Sequence, residues 1–235
     1  SVDEFKKINV DGTLELAHKA LEANIKRFIF ISTIGVNGNS THGKAFTEQD
    51  IPNPTNDYTK SKYEAEKALA KLFENTNIDL VIIRPPLIYA HDAPGNFSKL
   101  LMLIKLGQFL PFGCTHNQRS FIAIENLVSF ITTCIYHDTK INETFLIADD
   151  EVISTKQLIQ CLSSGMGKSM ILLPVPTKLL STLADVTGKV GMFEQLYGNL
   201  QIDNRKAKKF FNWHPPKHSL NALKEVGNLY RNNKK

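Results

Sequence analysis

Two short, unbroken apolar runs, Phe28-Ile29-Phe30-Ile31-Ser32 and Leu80-Val81-Ile82-Ile83, each follow a segment of helical periodicity. A run of this length without polar alternation suits a strand of a parallel sheet covered on both faces. Phe5, Ile8, Leu14, Leu16 and Leu21 predict a helix over about residues 3–23, with Gly12 inside it. Ala65, Ala68, Leu69, Leu72 and Phe73 predict another from Thr59 to Asn75, and Pro85-Pro86 ends the second apolar run. Helix, strand, helix, strand in this order means a parallel α/β layer. The polar stretch from Val36 to Asp57, punctuated by Pro52 and Pro54, is a loop.

The second half is less regular. Helices are expected at Phe97–Leu106, Thr155–Leu162, Lys178–Thr187 and Ser219–Tyr230, the last with Ser219 as N-cap, and a strand at Phe145–Ala148. With 42% hydrophobic and 22% charged residues in 235, a core can be built. No apolar run approaches the ~18 residues needed to cross a membrane. Ser1 to Val10 is mixed and charged, unlike a signal or transit peptide. The net charge of +5 comes with no basic stripe interleaved with aromatics, so no nucleic acid and no membrane are expected as partners. It suits an anionic small substrate. Cys114, Cys134 and Cys161 are widely spaced, which predicts neither disulfides nor a zinc site and fits a cytoplasmic location.

Several motifs fail. Ser164-Gly165-Met166-Gly167-Lys168-Ser169 would be a phosphate loop only if residue 162 were glycine, and it is Leu162. The dinucleotide pattern G-x-G-x-x-G fails at the same place, where residue 170 is Met170. The histidines do not cluster at ligand spacing, so no metal is expected.

One motif holds. Tyr58-Thr59-Lys60-Ser61-Lys62 opens the second helix, which puts Tyr58 and Lys62 on one face, a turn apart. A free tyrosine has a pKa near ~10, too high for a base at neutral pH. An ammonium nearby is expected to favour the phenolate and lower that pKa. Such a tyrosine can exchange the proton of a hydroxyl. Upstream, the first strand ends in Ser32-Thr33, and ligands of doubly wound sheets bind outside the carboxyl ends of the strands.

In this order and spacing, further pieces fall into place: Asn9-Val10-Asp11-Gly12-Thr13, Val36-Asn37-Gly38, Glu48 with Pro54, Glu66, Arg84-Pro85-Pro86-Leu87-Ile88-Tyr89, Gly95-Asn96-Phe97, Arg119-Ser120-Phe121-Ile122 with Asn126-Leu127, and Asn212-Trp213-His214-Pro215. The chain resembles the extended short-chain dehydrogenases, the NAD-dependent epimerase/dehydratase family, over nearly its whole length. The resemblance implies an α/β fold: a Rossmann-like doubly wound parallel sheet, truncated at its N-terminal side, over residues 1–87. A small substrate lobe over residues 88–235 would follow, with some segments returning to the sheet. It implies NAD or NADP as cofactor and a nucleotide sugar, UDP-linked, as substrate, with a homodimer as the assembly. By position, Thr33 resembles the hydroxyl residue that bonds the sugar, Tyr58 the acid/base, and Lys62 the residue that holds the nicotinamide ribose. Asn9, Pro85 and Pro86 fall where the family lines the cofactor. Asn96 and Arg119 fall where it grips the nucleotide diphosphate. A guanidinium matches a phosphate well, although a surface ion pair is an alternative for Arg119. Phe112 is a candidate contact for the nucleotide base, with core packing as the alternative.

Three departures refine this. The family's glycine-rich turn, which cradles the cofactor pyrophosphate at a helix N-terminus, is not in these 235 residues. A fragment, a truncated gene or a disordered N-terminus outside this sequence would each account for it. These residues alone are expected to leave a sheet edge bare and to show no turnover without a partner. Thr33 is followed by Ile34-Gly35 rather than the Asp-Glu of dehydratases, which disfavours dehydration. Asn37 stands where many 4-epimerases have tyrosine, and Leu87 where they often have a polar residue. The expected function is redox chemistry at sugar C4 in the manner of a UDP-glucose 4-epimerase. The alternatives are a 4-reductase for UDP-4-keto-6-deoxy sugars in surface-polysaccharide biosynthesis, and a truncated, inactive relative acting as a binding protein.

Overall fold

A computed structural model describes residues 2–232. The chain opens with helix α1 (Val2–Lys6), one π-helical turn (Lys7–Asp11) and helix α2 (Gly12–Glu22). The single helix expected here is therefore interrupted by a wider turn, which carries Asn9. Strand β1 (Arg27–Ile31) follows, then a 3₁₀ turn (Ile34–Val36), the long polar loop, helix α3 (Asp57–Phe73) and strand β2 (Asp79–Arg84). Next come strand β3 (Leu87–Tyr89), helix α4 (Asn96–Leu106), strand β4 (Phe109–Leu110), strand β5 (Phe121–Ala123) and helix α5 (Ile124–Tyr136). Strand β6 (Glu143–Leu146), helix α6 (Thr155–Gly165), strand β7 (Ile171–Leu172), helix α7 (Thr177–Val186) and helix α8 (Val190–Tyr197) precede helices α9 (Arg205–Phe211) and α10 (Ser219–Asn232).

The main sheet has the order β1-β2-β6, all parallel, with Phe30 opposite Ile82 and Ile83 opposite Phe145. This is the α/β class expected. All six residues of the central strand β2 are buried: the apolar run Leu80–Ile83 as expected, and Asp79 and Arg84 at its ends in ion pairs with Arg27 and Glu66. Strand β1 corrects the expectation of cover on both faces. Phe28 and Phe30 are buried under α2 and α3, whereas Arg27, Ile29 and Ile31 are only half-buried. Among the described residues, β1 is an edge strand.

Three cores result. Val10, Ala17, Phe28, Ala65, Leu69 and Ile82 fill the first, between α2, α3 and one face of the sheet. On the other face Val81, Ile83, Phe130, Phe145 and Trp213 pack between the sheet, α5 and α9. The third belongs to the second lobe, where α4, α6 and α10 enclose Phe97, Leu101, Leu158 and Leu223. Helices α6 and α10 approach closely because Gly165 and Gly227 meet: a Cβ on Gly227 would lie 2.2 Å from the Leu162 carbonyl oxygen.

Buried Asp149 joins the parts. It accepts hydrogen bonds from Tyr89 Oη at 2.6 Å, Asn126 Nδ2 at 2.7 Å and Ser219 Oγ at 3.1 Å. Burial raises its pKa. This corrects the cap expected at Ser219: the residue is the first of α10, and its hydroxyl donates to Asp149 and Glu151.

Candidate active site

A capping box sets the start of α3. Thr59 N donates to Asn56 Oδ1 at 3.0 Å and Asn56 N to Thr59 Oγ1 at 3.2 Å. Tyr58 thus sits in the first turn, where the helix dipole favours an anion. The 3₁₀ turn after β1 abuts this same turn because Gly35 has no side chain: a Cβ there would lie 2.5 Å from Thr59 Cγ2. Thr33 is held at the mouth of β1, its Oγ1 accepting from Gly35 N at 3.2 Å, which leaves its own proton free to donate.

Thr33 and Tyr58 consequently line one cavity of about 630 Å³ between the sheet and the second lobe. Pro86, Leu87, Asn96 and Arg119 line it too. Among the expected site residues, Asn9, Lys62, Pro85 and Phe112 do not. Asn9 Nδ2 instead donates to Ser61 Oγ at 3.0 Å, tying the π turn to α3. π-helical turns of this kind are frequent at functional sites. The Pro85 carbonyl accepts from Ile34 N at 2.9 Å and so positions the turn after Thr33. Phe112 is a correction: it is buried in the second lobe and stacks on Tyr197 with ring centroids 5.1 Å apart, which argues against contact with a base.

The electrostatics correct a second expectation. The Tyr58 pKa is raised, not lowered, because burial of the phenol opposes its ionisation. Loss of water also pulls Lys62 down to about 8, with Glu66 one turn on pulling the other way. The ammonium does not offset the burial of Tyr58 because it lies over the Phe30 ring, 4.0 Å from its centroid.

Arg119 is buried, with Nη1 donating to Gly198 O at 2.9 Å and Glu194 O at 3.3 Å. It has no carboxylate partner among the described residues, and burial lowers its pKa to about 10. The alternative of a surface ion pair fails. Asn96, the first residue of α4, donates through Nδ2 to Gln195 Oε1 at 2.8 Å across the cavity mouth.

Sequence reasoning passed over two features. Helix α8 supplies Gly191, Glu194 and Gln195 to the cavity, yet its signal is one short amphipathic turn after Gly188. Asn37 is buried and engaged elsewhere, accepting from Arg84 Nη1 at 2.9 Å and donating to Thr47 O at 3.0 Å. The departure at this position therefore leaves the cavity wall untouched.

Comparison with known proteins bears directly on this geometry. The profile of the NAD dependent epimerase/dehydratase family matches residues 1–148. The chain belongs to this family. It is 37% identical to a UDP-glucose 4-epimerase of Vibrio cholerae over 228 residues, covering 96% of this chain and 70% of the relative. It is 29% identical to the N-acetyl-alpha-D-glucosaminyl-diphospho-ditrans,octacis-undecaprenol 4-epimerase of Escherichia coli O157:H7, covering 79% of this chain and 58% of that protein. The chain thus spans roughly three-fifths to two-thirds of the length of several curated relatives. A crystal structure of a UDP-glucose 4-epimerase from Thermotoga maritima superposes with a TM-score of 0.77 at 20% identity, covering 100% of this chain and 73% of that one. That likeness fixes the fold as that of these epimerases.

Proposed function

We propose that this family member catalyses NAD(P)-dependent epimerisation at C4 of a UDP-linked sugar, with Tyr58 as acid/base, Thr33 as hydroxyl partner and Lys62 as supporting cation. One observation carries this. One cavity has the hydroxyls of Thr33 and Tyr58 on its wall and, on the same wall, Arg119, a buried guanidinium with no carboxylate partner among the described residues.

The Tyr58 hydroxyl makes no hydrogen bond among the described residues, so it is available to the C4 hydroxyl of a sugar. Thr33 can donate to the same oxygen and hold it there. Arg119 and the N-terminus of α4 at Asn96 offer hydrogen-bond donors to a diphosphate. Among the described residues Glu194 is the only acidic one on the cavity wall, and Ile34 and Gly35 occupy the places after Thr33. No carboxylate pair stands there to run an elimination, which supports epimerisation over dehydration.

The residues fit the nicotinamide end of a cofactor. Ser32 Oγ is buried without a hydrogen-bond partner among the described residues, next to Thr33, and Pro86 gives an apolar wall. Lys62, Tyr58 and Pro86 would hold that end, with Asn9 and Pro85 fixing α3 and the turn around it. When bound, the nicotinamide supplies a hydride acceptor and donor. In the protein, Tyr58 takes the C4 hydroxyl proton and returns it, and the ammonium of Lys62, one turn along α3, turns from the Phe30 ring to steady the phenolate.

Interconversion of UDP-glucose and UDP-galactose without net change in cofactor is the expected result. Net consumption of NADPH with a UDP-4-keto sugar would identify a reductase instead and overturn the epimerase assignment.

The Lys62 pKa of about 8 gives a second test. A lysine is cationic below its pKa, so its support for the phenolate is lost as pH rises through it. The rate should fall along an alkaline limb near pH 8. In Lys62→Arg the side chain stays charged, and the limb should vanish even if the rate drops. An unchanged limb in Lys62→Arg would remove Lys62 from the mechanism.

A sugar diphosphate carried on a lipid rather than a nucleoside is a second form of substrate. It matches the substrate in the name of the Escherichia coli relative, which is 29% identical to this chain.

A further inference from the structure

Helix α6 stands between two cavities. Thr155 and Leu158 line the one that holds Tyr58, whereas Lys156, Gln157 and Gln160 line a second, of about 350 Å³. The segment before Arg119 supplies Thr115, His116 and Gln118 to this second cavity, and Val152 adds an apolar patch. The chemistry proposed above makes no use of this space.

One group in the wall lacks a partner. Thr115 is 2% exposed, and its hydroxyl makes no hydrogen bond among the described residues. A buried hydroxyl left unpaired destabilises a fold. Set in a cavity wall, it marks a place where a bound molecule completes the hydrogen bonding.

The groups around it are donors. The first N–H groups of a helix have no acceptor within it. In α6, Thr155 N is met by Asn117 Oδ1 at 2.9 Å and Gln157 N by Ser154 Oγ at 3.1 Å. The N–H of Lys156 lies between them and meets no acceptor among the described residues. The capping box also orients Gln157: its Oε1 accepts from Ser154 N at 2.8 Å, which leaves its amide nitrogen as a donor. Lys156 Nζ gives one proton to Gly113 O at 3.1 Å and keeps the others. No Asp or Glu stands on the wall among the described residues. A cation, free donors at the positive end of an 11-residue helix and the lack of a carboxylate select an oxyanion. The volume lies at the lower end for small-molecule sites. It exceeds what a bare phosphate fills, and Val152 offers a wall for an organic part.

We propose that this second cavity binds a small phosphate monoester, its anion held by Lys156, the α6 N-terminus and Thr115. Such a site stands or falls apart from the reaction proposed for the first cavity.

Titration of the purified protein with glucose 1-phosphate, inorganic phosphate and glucose, followed in amide proton–nitrogen correlation spectra, tests this. The Lys156 and Gln157 amides should shift at low millimolar glucose 1-phosphate, at higher inorganic phosphate, and not with glucose. Lys156→Gln should weaken glucose 1-phosphate binding about tenfold, through loss of a charge-assisted contact. Thr115→Val keeps the side-chain shape, so it should weaken binding about threefold while Tm stays level or rises. Equal affinity for the two phosphates would overturn the monoester in favour of a bare ion. A matching response to glucose, no shift, shifts confined to the cavity of Tyr58, or an affinity unchanged in either variant would overturn the site itself.

Discussion

Replacing Tyr58 by phenylalanine should lower kcat/KM for sugar interconversion by about three orders of magnitude, within the range that positioned acid–base groups contribute. The side chain is 41% exposed, lines the cavity with Thr33 and packs its ring edge-on against Phe5, with centroids 5.9 Å apart. Phenylalanine keeps that ring contact. The lost hydroxyl has no hydrogen-bond partner among the described residues, so stability should change by no more than about 0.5 kcal/mol. Activity and stability are thus uncoupled at this position, and kinetics paired with urea unfolding read both. A residual rate within tenfold of the parent would remove Tyr58 as the proton carrier and take the enzymatic assignment with it.

A second large effect is expected far from the reacting atoms. Glu66→Ala should destabilise the protein by about 3–5 kcal/mol, the usual cost of stranding one member of a buried ion pair. Arg84 Nε donates to Glu66 Oε1 at 3.0 Å, and the two side chains are only 7% and 4% exposed. Arg84 Nη1 also donates to Asn37 Oδ1, so one guanidinium joins α3, β2 and the loop that follows Thr33. The double substitution Glu66→Leu, Arg84→Met should recover most of the loss, because it removes both charges, but not all, because Asn37 keeps an unpaired acceptor. Urea midpoints of the single and double variants test this. A single-variant loss below about 1 kcal/mol would mean that water reaches the pair. Glu66 also raises the Lys62 pKa. In a folded Glu66→Ala protein the alkaline limb should therefore move below pH 8.

The parts visible in the sequence are those written in neighbouring residues. Apolar runs marked β1 and β2, and the spacing of Tyr58 and Lys62 placed them on one face of α3, since a helix fixes such geometry within a single turn. Thr33 could be placed because it ends a strand. Features that depend on distant partners were hidden. Phe112 reads equally well as a ring for a base or for a core, and Tyr197, far along the chain, decided for the core. Arg119 reads as a diphosphate contact through the resemblance, with a surface ion pair as the alternative, and only its burial against the carbonyls at the end of α8 removes that alternative.

Local chemistry alone therefore settles the α/β class, the helix–strand–helix–strand order of its first 84 residues and the pairing of a tyrosine with a lysine one turn away. It cannot settle the ionisation of that pair. Solvent exclusion depends on everything packed around a group, and here it raises Tyr58 and lowers Lys62 against the direction that charge attraction would give. Nor can it say which face of an amphipathic helix meets the core. The apolar stripe of α7 looks like core in the chain and is solvent-facing in the fold, where the helix buries the small Ala184 instead.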